Sequence, residues 1–107
     1  MKSSRDVLIQ TNNLGAAANF YETILGFRVF QRTDQIVGLE TGSFRLFLDE
    51  GNPYGPVFEF YVQDLEAAKV QLVKEGCRIE AEDPKVPRCY VRDPYGLIFN
   101  LAEKKDT

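Results

Sequence analysis

The stretch VLIQTNNLGAA at residues 7–17 decides the fold, because the chain repeats its pattern as FEFYVQDLEAA at residues 58–68. In both copies, alternating apolar residues typical of a strand lead into a polar residue that can cap a helix, and helix formers follow. The copies stay in step further on, where LGFRV at residues 25–29 corresponds to EGCRI at residues 75–79. One copy alone buries a sheet face poorly, so we expect two copies to pair around a single cleft.

Each copy is predicted to form a βαβββ module. The first module covers residues 5–50, a connector rich in glycine and proline covers residues 51–56, and the second module covers residues 57–103. The predicted elements are helices at 14–25 and 65–75 and strands at 6–11, 28–32, 35–40, 44–49, 57–62, 78–81, 88–92 and 97–102. The expected fold class is therefore α+β, with residues 1–107 forming one domain of two modules related by pseudo-twofold symmetry.

The composition excludes several classes of protein. A chain of 107 residues with 44% hydrophobic and 27% charged residues is typical of one soluble domain. The sequence has no apolar run long enough for a membrane span and no signal-peptide core at its start, so we expect a cytoplasmic protein that does not bind membranes. A net charge of -3 argues against a nucleic-acid partner. Cys77 and Cys89 are expected to be buried free thiols.

The absence of histidine removes much of the usual catalytic chemistry. Without it the chain has no Ser-His-Asp triad, no Cys-His pair and no histidine-bound zinc. None of the eight glycines falls into the spacing of a phosphate-binding loop. Any general acid or base would have to be Asp, Glu, Tyr, Lys or Cys.

Three strings link the chain to a known family. NFYETILGF at residues 19–27, VQDLEAA at residues 62–68 and VRDPYGLIF at residues 91–99 resemble hallmarks of the vicinal oxygen chelate superfamily. That superfamily contains glyoxalase I, the bleomycin-resistance proteins, extradiol dioxygenases and fosfomycin-resistance enzymes. The resemblance covers nearly the whole chain and implies the paired-module fold, but one fold carries many functions.

The resemblance also implies where a metal would bind. In metal-dependent members the ligands are His, Glu or Gln on the first and last strands of each module. Those positions correspond here to Asp6, Phe47, Val57 and Asn100. Only Asp6 is a good ligand for a divalent ion, and Phe47 and Val57 are unable to bind one. We therefore expect vestigial ligand positions, no bound metal and no cofactor.

Strand alternation from these positions predicts which side chains line the cleft. They are Leu8, Gln10, Phe30, Arg45, Phe47, Val57, Glu59, Tyr61, Tyr90, Arg92, Ile98 and Asn100. Aromatic walls with a few polar groups are typical of a small-molecule site. We therefore predict that all of these residues except Phe30 and Ile98 bind a ligand. The alternative is an empty cleft in which Arg45, Glu59 and Arg92 pair with one another.

These observations favour a glyoxalase- or bleomycin-resistance-like protein that binds or sequesters a small apolar or aromatic molecule without a metal. We expect a homodimer, because family members this short commonly work as dimers. The competing interpretation is a metal-dependent lyase, isomerase or dioxygenase of the glyoxalase type, with Asp6 as a surviving ligand and Glu59 as base. The ligand count disfavours this enzyme. The sequence leaves open the ligand's identity, any residual catalysis, and whether the modules pair within one chain or between chains.

Overall fold

The computed structural model describes residues 1–86 and 88–105. Its elements are β1 (Lys2–Thr11), α1 (Leu14–Asn19), β2 (Arg28–Arg32), β3 (Ile36–Glu40), β4 (Arg45–Glu50), β5 (Tyr54–Val62), α2 (Leu65–Lys74), β6 (Arg78–Asp83), β7 (Arg88–Arg92) and β8 (Ile98–Glu103), with a π-helical segment (Phe20–Ile24) after α1. The chain divides into two compact units, Arg5–Pro56 and Val57 onward with Met1–Ser4. Each unit contains one βαβββ module, which confirms the predicted α+β class.

The first module is a four-stranded sheet in the order β2-β3-β4-β1. β1 and β4 run parallel, whereas β3 is antiparallel to β2 and to β4. The α1 residues Leu14 and Ala18 pack with Leu39, Leu46 and Leu48 to form its core. Asn13 caps α1 as predicted, because its side-chain oxygen accepts a hydrogen bond from the Ala16 amide at 3.3 Å.

The second module repeats this arrangement in the order β5-β8-β7-β6. β5 and β8 run parallel, and β7 is antiparallel to β8 and to β6. Asp64 caps α2 through the Ala67 amide at 3.1 Å, so the two caps occupy matching places. β5 begins at Tyr54, inside the stretch that the sequence assigns to the connector.

The first helix differs from the prediction in its second half. Leu25 donates its amide hydrogen to the Phe20 carbonyl at 3.3 Å, a bond to the fifth preceding residue that defines a π-helical turn. The extra residue turns the following side chains out of phase, and Ile24 and Leu25 are exposed although helical spacing places them on the core face. Gly26 then adopts a left-handed φ of 76°, which ends the helix. Among the described residues, no helix is long and apolar enough to span a bilayer.

Candidate functional site

In each module the helix covers one face of the sheet, and alternate residues lie on the other face. Leu46 and Leu48 face α1, so their neighbours Arg45 and Phe47 lie on the opposite face. We call this face the first helix-free face and its counterpart in the second module the second helix-free face. The first carries Asp6, Leu8, Gln10, Phe30, Gly38, Arg45 and Phe47, and the second carries Val57, Glu59, Tyr61, Glu80, Tyr90, Arg92, Ile98 and Asn100. All ten residues of the predicted ligand-binding set lie on one of these two faces; their role in binding stays a prediction.

Two phenylalanines and an arginine cluster on the first helix-free face. The rings of Phe30 and Phe47 meet edge to face, with centroids 5.7 Å apart and an interplanar angle of 86°. The guanidinium carbon of Arg45 lies 5.7 Å from the centroid of the first ring and 5.5 Å from that of the second. Both distances are within the range of a cation–π contact. We call these three side chains the aromatic cluster.

Asp6 fixes the arginine of the aromatic cluster in place. The Arg45 Nε atom donates to Asp6 Oδ1 at 2.7 Å, and its Nη2 atom donates to Oδ2 at 3.0 Å. Such a two-pronged pair holds a guanidinium in one plane and neutralises its charge. The side chains are 41% and 26% exposed, so solvent reaches the pair. The sequence indicated Asp6 only as a vestigial ligand position, and this pairing was not predicted.

Phe30 lies on this face at a β-bulge. Val29 pairs with Leu39 and Gln31 pairs with Gly38, which leaves Phe30 as the extra residue of β2. Gly38 makes room for the ring, because a Cβ atom at that position would lie 2.8 Å from Phe30 Cζ and 3.1 Å from Phe47 Cε1. The aromatic cluster therefore depends on the missing side chain of Gly38.

The second module has its bulge at the corresponding residue, Glu80. Ile79 pairs with Val91 and Ala81 with Tyr90, so Glu80 is the extra residue of β6. Its carboxylate oxygen Oε2 accepts from Arg92 Nε at 2.8 Å and from Arg78 Nη2 at 2.9 Å. Glu80 was not among the residues that strand alternation placed in the cleft. The repeat does indicate this residue. When LGFRV at residues 25–29 is aligned with EGCRI at residues 75–79, Glu80 occupies the position of Phe30.

Asn100 and Glu59 are neighbours on the second helix-free face. They are paired across β5 and β8. The Asn100 carbonyl oxygen accepts the Cys89 amide hydrogen at 2.8 Å, and its Nδ2 atom lies 3.5 Å from Glu59 Oε2. Tyr90, which occupies the place of Gly38, is buried beside them with Arg88 over its ring at 5.0 Å. Lys104 lies over the Tyr61 ring at 4.8 Å.

The four positions that would hold a metal do not fit one. Asp6 is already bound to Arg45, and the Asn100 oxygen accepts a backbone hydrogen bond. Phe47 and Val57 have only carbon in their side chains. Among residues 1–86 and 88–105, no three His, Cys, Asp or Glu residues are grouped so that they could hold a metal ion.

The two cysteines are poor candidates for a nucleophile. Burial raises the pKa of the Cys89 thiol, and the negative charge of Glu82 raises it further. Burial also raises the pKa of the Cys77 thiol, and Asp93 and Glu75 add to the effect. A thiol attacks as the thiolate, so both groups are in their unreactive form near neutral pH.

Comparison with known proteins agrees with the motifs. The model of the glyoxalase/bleomycin resistance protein/dioxygenase superfamily matches residues 5–101. No curated protein matches the sequence.

Three solved structures illustrate the likeness of fold. A hypothetical protein from Bacillus halodurans C-125 has a TM-score of 0.64 at 16% identity, with 95% of this chain and 94% of that chain covered. A glyoxalase/bleomycin resistance protein/dioxygenase superfamily member from Vibrio splendidus 12B01 has a TM-score of 0.63 at 19% identity, with 92% and 96% covered. Homoprotocatechuate 2,3-dioxygenase from Brevibacterium fuscum has a TM-score of 0.64 at 19% identity over 98% of this chain and 37% of that one. These identities support the fold alone.

Proposed function

Because this chain belongs to the glyoxalase/bleomycin resistance protein/dioxygenase superfamily but has Phe47 and Val57 at two of the four ligand positions, we propose that it binds a small apolar or aromatic molecule without a metal. The molecule is bound or sequestered on a helix-free face. No chemical step is part of this proposal, since the superfamily's metal chemistry needs ligands that these positions lack.

The aromatic cluster is the observation that carries the proposal. Phe30 is 38% exposed although its ring meets both Phe47 and Arg45. An aromatic ligand can stack on such a surface, and the guanidinium fixed by Asp6 adds a flat cationic face. A few polar groups among aromatic side chains are the usual lining of a small-molecule site.

A matched pair of variants tests the role of the aromatic cluster. Phe44 is as exposed as Phe30, at 38%, but lies outside the cluster. In a thermal-shift screen of aromatic compounds, hits that bind the wild type should bind Phe44→Leu equally and Phe30→Leu more weakly. Equal loss in both variants, or none in either, would contradict the proposal.

The melting temperature with and without metal tests whether the protein is independent of metal. We expect EDTA to leave the melting temperature unchanged and added Ni²⁺ or Zn²⁺ not to raise it, because an ion that binds only the folded state would stabilise it. A melting temperature that rises with metal to saturation would favour the alternative, a metal-dependent lyase, isomerase or dioxygenase.

We further propose a cytoplasmic homodimer. Phe20, Ile24 and Leu25 expose apolar surface on and beside the π-helical segment, which a second copy of the chain could cover. Cys77 and Cys89 are free thiols, the usual state in a reducing compartment. Light scattering of the purified protein measures the mass in solution, and a monomer at micromolar concentration would refute the dimer.

A further inference from the structure

Glu59 differs from two other acids on the helix-free faces. Asp6 is paired with Arg45 and Glu80 with Arg92. Glu59 has no arginine or lysine partner within residues 1–86 and 88–105, and its only contact is the Asn100 amide nitrogen at 3.5 Å. A carboxylate offers about four acceptor sites, so this single long contact leaves most of its capacity unused.

Asn100 is oriented so that it faces Glu59 with its donor. The Cys89 amide can only donate, and it lies 2.8 Å from Asn100 Oδ1, so the oxygen must point to β7. The amide nitrogen then points to the Glu59 carboxylate. This arrangement holds the carboxylate toward Asn100 while leaving Oε1 available.

Buried apolar and aromatic side chains share the face with Glu59. Val57, Tyr90 and Ile98 on the same face are buried, and Glu59 itself is half-buried. A negative charge among apolar groups is costly unless it is paired or hydrogen-bonded. The nearby Lys104 lies over the Tyr61 ring and makes no ion pair with Glu59.

We propose that the ligand carries a positively charged group with N–H donors, attached to an apolar or aromatic body, and that Glu59 binds this group. The inference rests on the proposed function and names the ligand's chemical class. The cationic group supplies the partner that the protein does not. The apolar or aromatic body lies against the apolar side chains beside Glu59 on the second helix-free face, which include Val57 and Ile98.

Three probes of one shape and different charge test the proposal. They are 2-naphthylmethylammonium, 2-naphthylmethanol and 2-naphthoate, with affinities measured at neutral pH by NMR titration of the purified protein. The cation should bind about tenfold or more tightly than the alcohol, the range for a hydrogen bond to a charged group. The carboxylate should bind more weakly than the alcohol.

Glu59→Gln keeps the side-chain shape and removes the charge, so it should abolish the preference for the cation while the alcohol still binds. Glu66→Gln is the matched control, because Glu66 is 79% exposed on α2 and should leave all three affinities unchanged. Should Glu59→Gln fail to fold by circular dichroism, Glu59→Asp retains the charge and should retain a weaker preference.

The outcomes separate the two proposals. Equal or tighter binding of the alcohol or the carboxylate to the wild type would overturn the ligand class and leave the proposed function standing. A preference for the cation that persists in Glu59→Gln would overturn the role of Glu59. Failure of all three probes to bind the wild type would overturn both proposals.

Discussion

The two helix-free faces have the same arrangement of strands but carry different side chains at corresponding positions. Both modules place a bulge at the same point of the outer strand, at Phe30 and at Glu80. In the first module the bulged residue is aromatic and joins Phe47 and Arg45. In the second module it is a carboxylate that joins two arginines. The repeat therefore preserves a scaffold, while the bulged residue sets the chemistry of the face.

The residue of the neighbouring strand next to each bulge also differs between the modules. Gly38 leaves the space that the Phe30 ring fills, whereas Tyr90 at the corresponding place fills that space itself. Glu80 is compatible with Tyr90, because its carboxylate pairs with Arg78 and Arg92 and does not need the space over the sheet that the tyrosine ring fills. The comparison indicates that residues 30 and 38 act as a pair in the first module and that residues 80 and 90 act as a pair in the second.

The largest effect is expected from filling the space at Gly38. Gly38→Ala places a Cβ atom 2.8 Å from Phe30 Cζ, so the ring must move. Overpacking of this kind lowers the free energy of unfolding by about 1 to 3 kcal/mol, which urea denaturation followed by circular dichroism measures.

Two further variants test the cause of that loss. Gly15→Ala, where nothing lies within 4 Å of the added Cβ atom, should be neutral or stabilising by up to about 1 kcal/mol. Phe30→Leu should recover part of the loss in the Gly38→Ala background. Full stability of Gly38→Ala, with unshifted Phe30 ring resonances, would show that positions 30 and 38 are not coupled.

The next effect concerns the bulged carboxylate. Glu80→Gln removes the negative charge from a side chain that is 16% exposed and leaves the Arg92 guanidinium without that counter-ion. We expect the free energy of unfolding to fall by about 1 to 2 kcal/mol, in the lower part of the range for hydrogen bonds to charged groups because Arg78 is exposed. Glu66→Gln should cost at most about 0.5 kcal/mol. Equal costs in the two variants would mean that the Glu80 network adds nothing.

The sequence predicted the scaffold more completely than the faces. Strand alternation and the caps at Asn13 and Asp64 are local signals, and the bounds of β2 and β7 match the prediction. The π-helical turn and the bulges were missed, because each adds a single residue to an otherwise regular element. Partner choice was missed as well: whether Arg45 meets Asp6 depends on the register of β1 against β4, which composition does not encode.

A smaller effect is expected from the pair in the first module. Asp6→Asn removes the charge that Arg45 contacts through two nitrogen atoms. Both side chains are more exposed than those of the Glu80–Arg92 pair, so the free energy of unfolding should fall by only about 0.5 to 1 kcal/mol. Denaturation of Asp6→Asn beside Glu80→Gln makes the comparison direct. A larger loss in Asp6→Asn would reverse the ranking of the two faces.

The smallest effect should appear only in acid, and it concerns Glu40 of the first module. Glu40 of β3 corresponds in register to Arg92 of β7, so the two modules carry opposite charges at this place. A hydrogen bond from the Gly42 amide at 2.9 Å, followed by contacts with Arg5, lowers the pKa of Glu40 below its ordinary value of 4.5. A lowered pKa means that the unfolded state takes up a proton first as the pH falls. The stabilisation is therefore complete above pH 4.5 and is lost as the pH falls through the folded-state pKa.

The Gly42 amide resonance reports on this carboxylate directly, because its hydrogen bond ends at Glu40 Oε2. In an NMR titration its chemical shift should move with a midpoint below pH 4.5, and the movement should be absent in Glu40→Gln. The unfolding free energy of Glu40→Gln should also fall less steeply than that of the wild type as the pH is lowered past that midpoint. A midpoint at or above 4.5 would mean that the Gly42 and Arg5 contacts do not favour the charged form of Glu40, and the charge reversal between the modules would then have no consequence for stability in acid.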